Sequence, residues 1–323
     1  MRAAVYHRIG PAREVMRIED VDLPEPGPGE VRVRIHVSGV NPTDWKSRAG
    51  ITPRPIARFQ IPNQDGAGVI DAVGAGVDPA RMGERVWVWF AAAGQPWGTA
   101  AEWSVLPAER AVPLPDRASM ELGASLGVPA MTAHHCLFAD GPIDGKIVLV
   151  AGGAGAVGHF AIELAKRAGA TVIATVSSQE KAELAARAGA DLVVNYTDAG
   201  AVDQVRALAQ TVDRIIEVAL GANLQLDLAV SGPETIIVTY AADGPDPVLP
   251  VRACMTANVT LRFMLLYGIP GPARRHAIRD ITDAIQEGAL TELPVHRFRL
   301  EDIAAAHEAV EGRALGKVII ELT

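Results

Sequence analysis

The residues Gly153-Ala154-Gly155-Ala156-Val157-Gly158 have the spacing G-x-G-x-x-G and stand between an apolar run, residues 147–151 (IVLVA), and a helical pattern. At such a junction glycines let the backbone turn sharply and approach a pyrophosphate without a Cβ in the way. The helix that follows presents unpaired N–H groups and a positive partial charge. In this strand–turn–helix context the motif predicts a dinucleotide site, with backbone from Gly153, Gly155, Ala156, Val157 and Gly158. About 20 residues further on, NAD sites place an acidic residue on the ribose 2′-hydroxyl. Here the next strand-like run, 171–176 (TVIATV), ends in Ser177-Ser178-Gln179-Glu180-Lys181. Two hydroxyls and an ammonium suit a 2′-phosphate, which a carboxylate at the strand tip would repel. The reading is NADPH, with Glu180 as the one feature against it. Ser177 and Glu180 also have capping-box spacing, a role compatible with anion binding at one helix start.

His134-His135-Cys136 is the other group of ligand-type side chains. Neighbours on a helix point to different faces, and ligands on one helix need i, i+3 or i, i+4 spacing. Packing is the better reading of this triplet, and no metal is expected.

These residues need a scaffold, and the chain changes texture along its length. The first ~120 residues read as strands and turns, with period-2 alternation at 31–37 (VRVRIHV) and further strands at 69–73 and 85–90. From Lys146 on, short apolar runs alternate with helical patterns, as in a parallel sheet with crossover helices. Residues 163–170 (ELAKRAGA) are echoed at 183–190 (ELAARAGA), each helix ending at a glycine before the next strand. Runs at 215–218 and 235–238 add strands, and a helix at 273–286 leads to strand-like 294–299 and 317–322. The last strands lie outside the βα alternation and are assigned to the first domain, so the nucleotide domain is an insertion. The expected division is 1–122, 123–268 and 269–323.

Composition narrows the class. The 323 residues are 49% hydrophobic and 21% charged with a net charge of −8, a globular chain without the basic surface that nucleic acid or an anionic membrane would require. Two cysteines are too few for a disulfide framework or a four-thiolate zinc site. No apolar run approaches the ~20 residues of a membrane helix. With no signal-peptide pattern at Met1-Arg2-Ala3-Ala4-Val5-Tyr6, a cytoplasmic location is expected.

Across its whole length the chain resembles the zinc-free quinone oxidoreductase (ζ-crystallin-like) branch of the medium-chain dehydrogenase/reductase superfamily. The resemblance is carried by Gly39-Val-Asn-Pro-Thr-Asp-Trp-Lys-Ser-Arg-Ala-Gly50, Asp65-Gly-Ala-Gly-Val-Ile70, Gly127-Val-Pro-Ala-Met-Thr-Ala133, the glycine motif, Asn195-Tyr196 and Arg313-Ala-Leu-Gly-Lys-Val318. It implies an α/β protein: a GroES-like β-rich catalytic domain from both chain ends, plus an inserted Rossmann-type doubly wound parallel sheet, with substrate in the cleft between. By position it implies Asn41 and Thr132 at the nicotinamide, Ser177, Ser178 and Lys181 at the 2′-phosphate, and Tyr196 on the adenosine side. Thr239, Tyr240 and Ala241, with Phe263, Met264 and Leu265, would pass beside the carboxamide, and Arg313 would reach the phosphates. For each of these fold maintenance is the alternative: Arg313 as a solvated turn residue, Phe263 as core.

Zinc-dependent members of that superfamily use a Cys, a His-Glu pair and a second Cys; by the resemblance, the first Cys and the His-Glu pair correspond here to Asn41 and Gln64-Asp65. Zinc-independent hydride transfer from NADPH to a quinone or conjugated enone is the expected reaction. An enoyl-thioester or 2-alkenal reductase, or a non-catalytic NADPH-binding protein, are the alternatives. The tyrosine that the superfamily's enoyl reductases carry after the Gly50 position has no counterpart in Gly50-Ile51-Thr52-Pro53. Trp45, Trp87, Trp89, Trp97 and Tyr240 lie in segments that suit an apolar cleft or strand packing. A homodimer is expected through the edge strand at 258–266 (NVTLRFMLL).

Overall fold

A computed structural model describes every residue except Pro53, Asp243, Pro245 and Thr323. The backbone falls into two units, Met1–Val128 with Glu292–Thr323, and Pro129–Thr291.

The first unit begins with β1 (Arg2–Val5), α1 (Ala12–Val15) and β2 (Arg17–Asp20), the two strands forming a small antiparallel sheet. Then follow β3 (Glu30–Val40), α2 (Pro42–Ala49), β4 (Asp65–Val73), β5 (Arg85–Val88), β6 (Trp103–Pro107), β7 (Ala111–Pro113) and α3 (Met120–Gly123). In β3 the alternation read from sequence is the burial pattern: Val31, Val33 and Ile35 are buried and Arg34 is exposed.

The second unit contains α4 (Met131–Phe138), β8 (Ile147–Ala151), α5 (Ala156–Arg167), β9 (Thr171–Val176), α6 (Gln179–Arg187), β10 (Leu192–Asn195), α7 (Ala201–Leu208), β11 (Val212–Glu217), α8 (Leu220–Val230), β12 (Ser231–Thr239), α9 (Val251–Thr256), β13 (Thr260–Phe263) and α10 (Gly271–Glu287). Its six strands are all parallel, in the order β10-β9-β8-β11-β12-β13. That is the doubly wound arrangement, which reverses direction between β8 and β11. Central strands are apolar on both faces, as in β8, where Val148, Leu149, Val150 and Ala151 are all buried. The echoed helices α5 and α6 end just before Gly169 (φ 81°) and Gly189 (φ 101°), left-handed positions where a Cβ is disfavoured.

The chain then returns to the first unit with β14 (Val295–Arg299), α11 (Ile303–Glu311) and β15 (Lys317–Glu321). The large sheet there runs β14-β15-β3-β4-β5-β7, with β6 also paired to β3. The strands from the chain's end thus join the first unit as the broken alternation implied.

The expected limits at 122/123 and 268/269 fall instead at 128/129 and 291/292. Residues up to Val128 are tied to the first unit because the Val128 N–H donates to the Asp65 carboxylate. Helix α10, expected with the catalytic domain, packs against α4 and buries Ala277, Ile281, Ala284 and Ile285, and so belongs to the nucleotide-type unit. The edge strand is also shorter than the run 258–266: only Thr260–Phe263 is paired.

Candidate active site

In the second unit all six parallel strands end at one edge of the sheet, the edge where doubly wound folds bind ligands. The glycine loop follows β8 there. A Cβ on Gly153 would meet the Ala174 Cβ at 2.8 Å, and one on Gly158 would collide with the Gly152 carbonyl oxygen. Packing therefore requires the first and third glycines of the motif, whereas a Cβ on Gly155 would meet nothing closer than 3.4 Å. Gly155 caps α5 without a side chain, so the first N–H groups of this twelve-residue helix are available to an anion.

Next along the same edge, β9 ends at Val176. The Lys181 Nζ donates to the Ser177 Oγ at 2.8 Å. Ser178 caps α6, its Oγ accepting from the Lys181 N–H at 3.3 Å. This corrects the capping-box reading of Ser177 and Glu180: the cap lies one residue later, which leaves Ser177 paired with the ammonium. Glu180 is exposed in the first turn of α6.

Tyr196 follows β10, 43% exposed, and its N–H bonds the Val176 carbonyl, so it stands beside the β9 tip. Thr239 ends β12, buried, with Oγ1 donating to the Ala241 carbonyl, and the Tyr240 N–H bonds the Glu217 carbonyl. Of the segment after β12, Phe263 and Leu265 are 73% and 69% exposed while Met264 is buried, so a core role for Phe263 is overturned. Thr132 is buried on α4. Arg313 belongs to the first unit, exposed on the turn between α11 and β15 with φ 61°.

In the first unit, Asn41 is the N-cap of α2 and only 2% exposed. Its Nδ2 donates to Asp65 Oδ2 at 2.7 Å, and its Oδ1 accepts from Lys317 Nζ at 2.7 Å. Lys317 Nζ also lies 3.6 Å from Asp65 Oδ2, so a buried ion pair brackets the amide. Asp65 further accepts from the Val128 N–H, and a Cβ on Gly127 would strike its Oδ1, which is why the Gly127-Val128 step has no side chain there. Asp44 Oδ2 accepts the Asn41 N–H at 2.8 Å, while its Oδ1 is buried without a hydrogen-bond partner among the described residues. Burial, and next the charge of Asp65, push the Asp44 carboxyl up to about 7. Asp44 lines a small cavity, ≈ 10 Å³ and room for about one water, with Tyr6, Gln60 and Gln64. Burial pushes the Tyr6 phenol up to about 12.

Asp44, Asp65, Lys317 and Tyr6 were not singled out as site residues from sequence. Asp44 and Asp65 sat inside recognised motifs, and Lys317 lies 276 positions from the amide it contacts. The donor set at Asn41, Gln64 and Asp65 does not suit a catalytic zinc: it has neither thiolate nor imidazole, and an ammonium already sits on two of its oxygens. Trp87 and Trp89 are buried in the first unit, and Trp97 stacks edge-on against Phe59, so these three are packing residues. Pro53, in the stretch that lacks a tyrosine, is outside the described residues.

The alcohol dehydrogenase GroES-like domain family matches residues 27–116, and the zinc-binding dehydrogenase family matches 156–287. A quinone oxidoreductase of Pseudomonas aeruginosa is 36% identical, with 95% of each chain covered. A 2-haloacrylate reductase of a Burkholderia species is 31% identical, covering 99% of this chain and 98% of its own. Among solved structures, a mycobacterial protein complexed with NADPH is similar with a TM-score of 0.87 and 30% identity over 100% of both chains.

Proposed function

Because the chain belongs to the quinone oxidoreductase branch of the medium-chain dehydrogenase/reductase superfamily, we propose that it is a zinc-independent, NADPH-dependent reductase of quinones or related conjugated carbonyls. The observation that carries this reading is the β9 tip, where the Ser177 hydroxyl and the Lys181 ammonium converge at 2.8 Å in place of a ribose-binding acid. Bound NADPH supplies the hydride. The residues of the chain bind and orient it. Backbone of Gly153, Gly155, Ala156, Val157 and Gly158 holds the pyrophosphate, Ser177, Ser178 and Lys181 the 2′-phosphate, and Tyr196 the adenosine side. Asn41 and Thr132 are assigned to the nicotinamide, Thr239–Ala241 and Phe263–Leu265 to its carboxamide, and Arg313 to the phosphates. Among the described residues no helix is long and apolar enough to cross a membrane. A cytoplasmic setting belongs to this proposal.

The proposed assembly is a homodimer through β13. This strand ends the sheet, its outer edge unpaired among the described residues, and Phe263 and Leu265 are exposed beside it. An open strand edge flanked by large apolar side chains is a pairing surface, and a second copy would cover it.

Asp44 favours a second reading, reduction of a conjugated alkene. That reaction needs a proton at the α-carbon, and the sequence offered no acid for it. A buried carboxyl raised to about 7, with one oxygen unpartnered among the described residues at a water-sized cavity, is a group able to deliver a proton near neutrality. NADPH oxidation with 1,2-naphthoquinone, a crotonyl thioester and no acceptor separates the readings. The quinone should have the higher kcat/KM, and Thr52→Tyr should raise only thioester turnover. Crotonyl turnover equal to quinone turnover in the wild type ends the first reading. Tight NADPH binding with no oxidation by either acceptor makes the chain a binding protein.

A further inference from the structure

Helix α10 carries His276 and Asp280 four residues apart, the spacing that places two ligands on one helix face. Against that face stands His134 of α4, a side chain only 3% exposed. The Asp280 Oδ2 lies 2.8 Å from His134 Nε2 and 3.3 Å from His276 Nε2, and all three ligand atoms fall within 4.8 Å of one another. The two rings meet edge-on at 5.0 Å between centroids and are not stacked face to face. Metal–ligand bonds of about 2.0–2.1 Å put neighbouring ligand atoms about 3.0 Å apart at right angles and about 3.4 Å apart in a tetrahedron. The His276–Asp280 separation of 3.3 Å falls in that interval, and the His134–Asp280 separation of 2.8 Å lies just below it.

The surroundings leave coordination positions open. His134 and His276 line a cavity of ≈ 390 Å³ together with His135, Phe138, Arg262 and Pro270. The Arg262 guanidinium, the strong positive charge in that wall, is paired with Asp140. Cys136 is fully buried and takes no part, and His135 lines the cavity outside the three-ligand group. Of the triplet His134-His135-Cys136, the first and last are buried and His135 is half-buried. The first finds its partners on a helix more than 140 positions away.

We propose that His134, His276 and Asp280 form a site for one divalent transition-metal ion, held by two imidazoles and a carboxylate with its remaining positions facing the cavity. Two nitrogens and one oxygen select borderline ions such as Zn²⁺, Co²⁺ or Ni²⁺ over Mg²⁺ or Ca²⁺, which take oxygen ligands. The ion ties α10 to α4 and has no part in the hydride transfer proposed above, so the two proposals stand or fall separately.

The test uses the full chain without an affinity tag, chelator-treated, in a Cys254→Ser background that removes the partly exposed thiol. Titration with Co²⁺, followed by its visible d–d bands, and with Zn²⁺ by calorimetry should saturate at one ion per chain and raise the melting temperature. His276→Ala and Asp280→Asn, at exposed and half-exposed positions that leave the core intact, should each weaken binding by ~100-fold or more, beyond the loss typical of a supporting residue. His135→Ala should leave the affinity unchanged. Failure to saturate at one ion per chain overturns the site. So does saturation that survives both ligand substitutions, or that His135→Ala weakens equally.

Discussion

Replacing Lys181 by alanine removes the ammonium that sits 2.8 Å from the Ser177 hydroxyl at the end of β9. A hydrogen bond from a charged donor to phosphate contributes ~1.5–3 kcal/mol. Both residues are partly open to solvent, and screening holds the contribution to the lower part of that range, ~1.5–2 kcal/mol. At 1.4 kcal/mol per factor of ten, NADPH affinity should fall by ~10–30-fold. NADH has no 2′-phosphate, and its affinity should change by less than ~2-fold. The helix start survives the substitution because Ser178 bonds the main-chain N–H at position 181, not the ammonium. A companion variant, Ser177→Asp, installs the acid that a free ribose prefers, again without touching the cap. It should reverse the preference toward NADH. Calorimetric titration of each cofactor into the three proteins reads all of this, and the Lys181 effect should shrink in 0.5 M salt. Equal losses for both cofactors in Lys181→Ala would show that the lysine supports the fold and not the phosphate. Equal affinities in the wild type would remove the reading altogether.

The other predictions concern the first unit and the assembly. Asp44 holds a proton in the folded chain up to about pH 7, whereas an unfolded chain releases it near pH 4. The stability it lends is therefore complete below about pH 4 and is lost as pH rises through about 7, by ~2–4 kcal/mol. Urea midpoints of wild type and Asp44→Asn across that interval should show the wild type losing ground with rising pH, and parallel curves would contradict the assignment. Chelator treatment should leave kcat/KM for a quinone unchanged; activity lost and then restored by zinc would refute a metal-free reaction. Light scattering at micromolar concentration should give a dimer, converted to monomer by Phe263→Glu with Leu265→Glu. A monomeric wild type removes the β13 interface.

Much of the dinucleotide unit is legible in the sequence because its signals are local. The glycine loop, the helix ends at Gly169 and Gly189 and the apolar strands each depend on residues within a few positions of one another. The β9 tip is equally local, and there the cap lies one residue later than the spacing suggests, since Ser177 and Ser178 are both competent and pairing with Lys181 decides between them. What was not legible is long-range pairing. The Asn41–Lys317 and Asp65–Val128 contacts close over large sequence separations, and nothing near Asn41 announces that its partner will be a lysine. Helix α10 was misassigned for a related reason. Its apolar face states that it packs, but not against which unit. The His134–Asp280 pair joins helices whose patterns look self-sufficient, so spacing within either one could not reveal it.

The position of β15 in the sheet has a consequence for how the chain is made. This strand lies between β14 and β3, and it carries Lys317, six residues from the end of the chain. A ribosome delivers the N-terminal strands first, at a few to tens of residues per second. Until residue 317 emerges, β3 is covered on that side only over its first half, by β6, and Val37–Val40 stay unpaired there, while Asp65 and Asn41 have no ammonium between them. The second unit, by contrast, is one uninterrupted stretch, Pro129–Thr291, with its own hydrophobic core, and every strand it needs has been synthesised before Glu292–Thr323 are added. Order of synthesis and order of completion are therefore opposite: the half that appears first in the sequence waits on its own final strand, while the half inserted within it can close early. A stop codon or frameshift shortly before position 317 would release a chain with one finished fold and one sheet missing an interior strand and its buried cation.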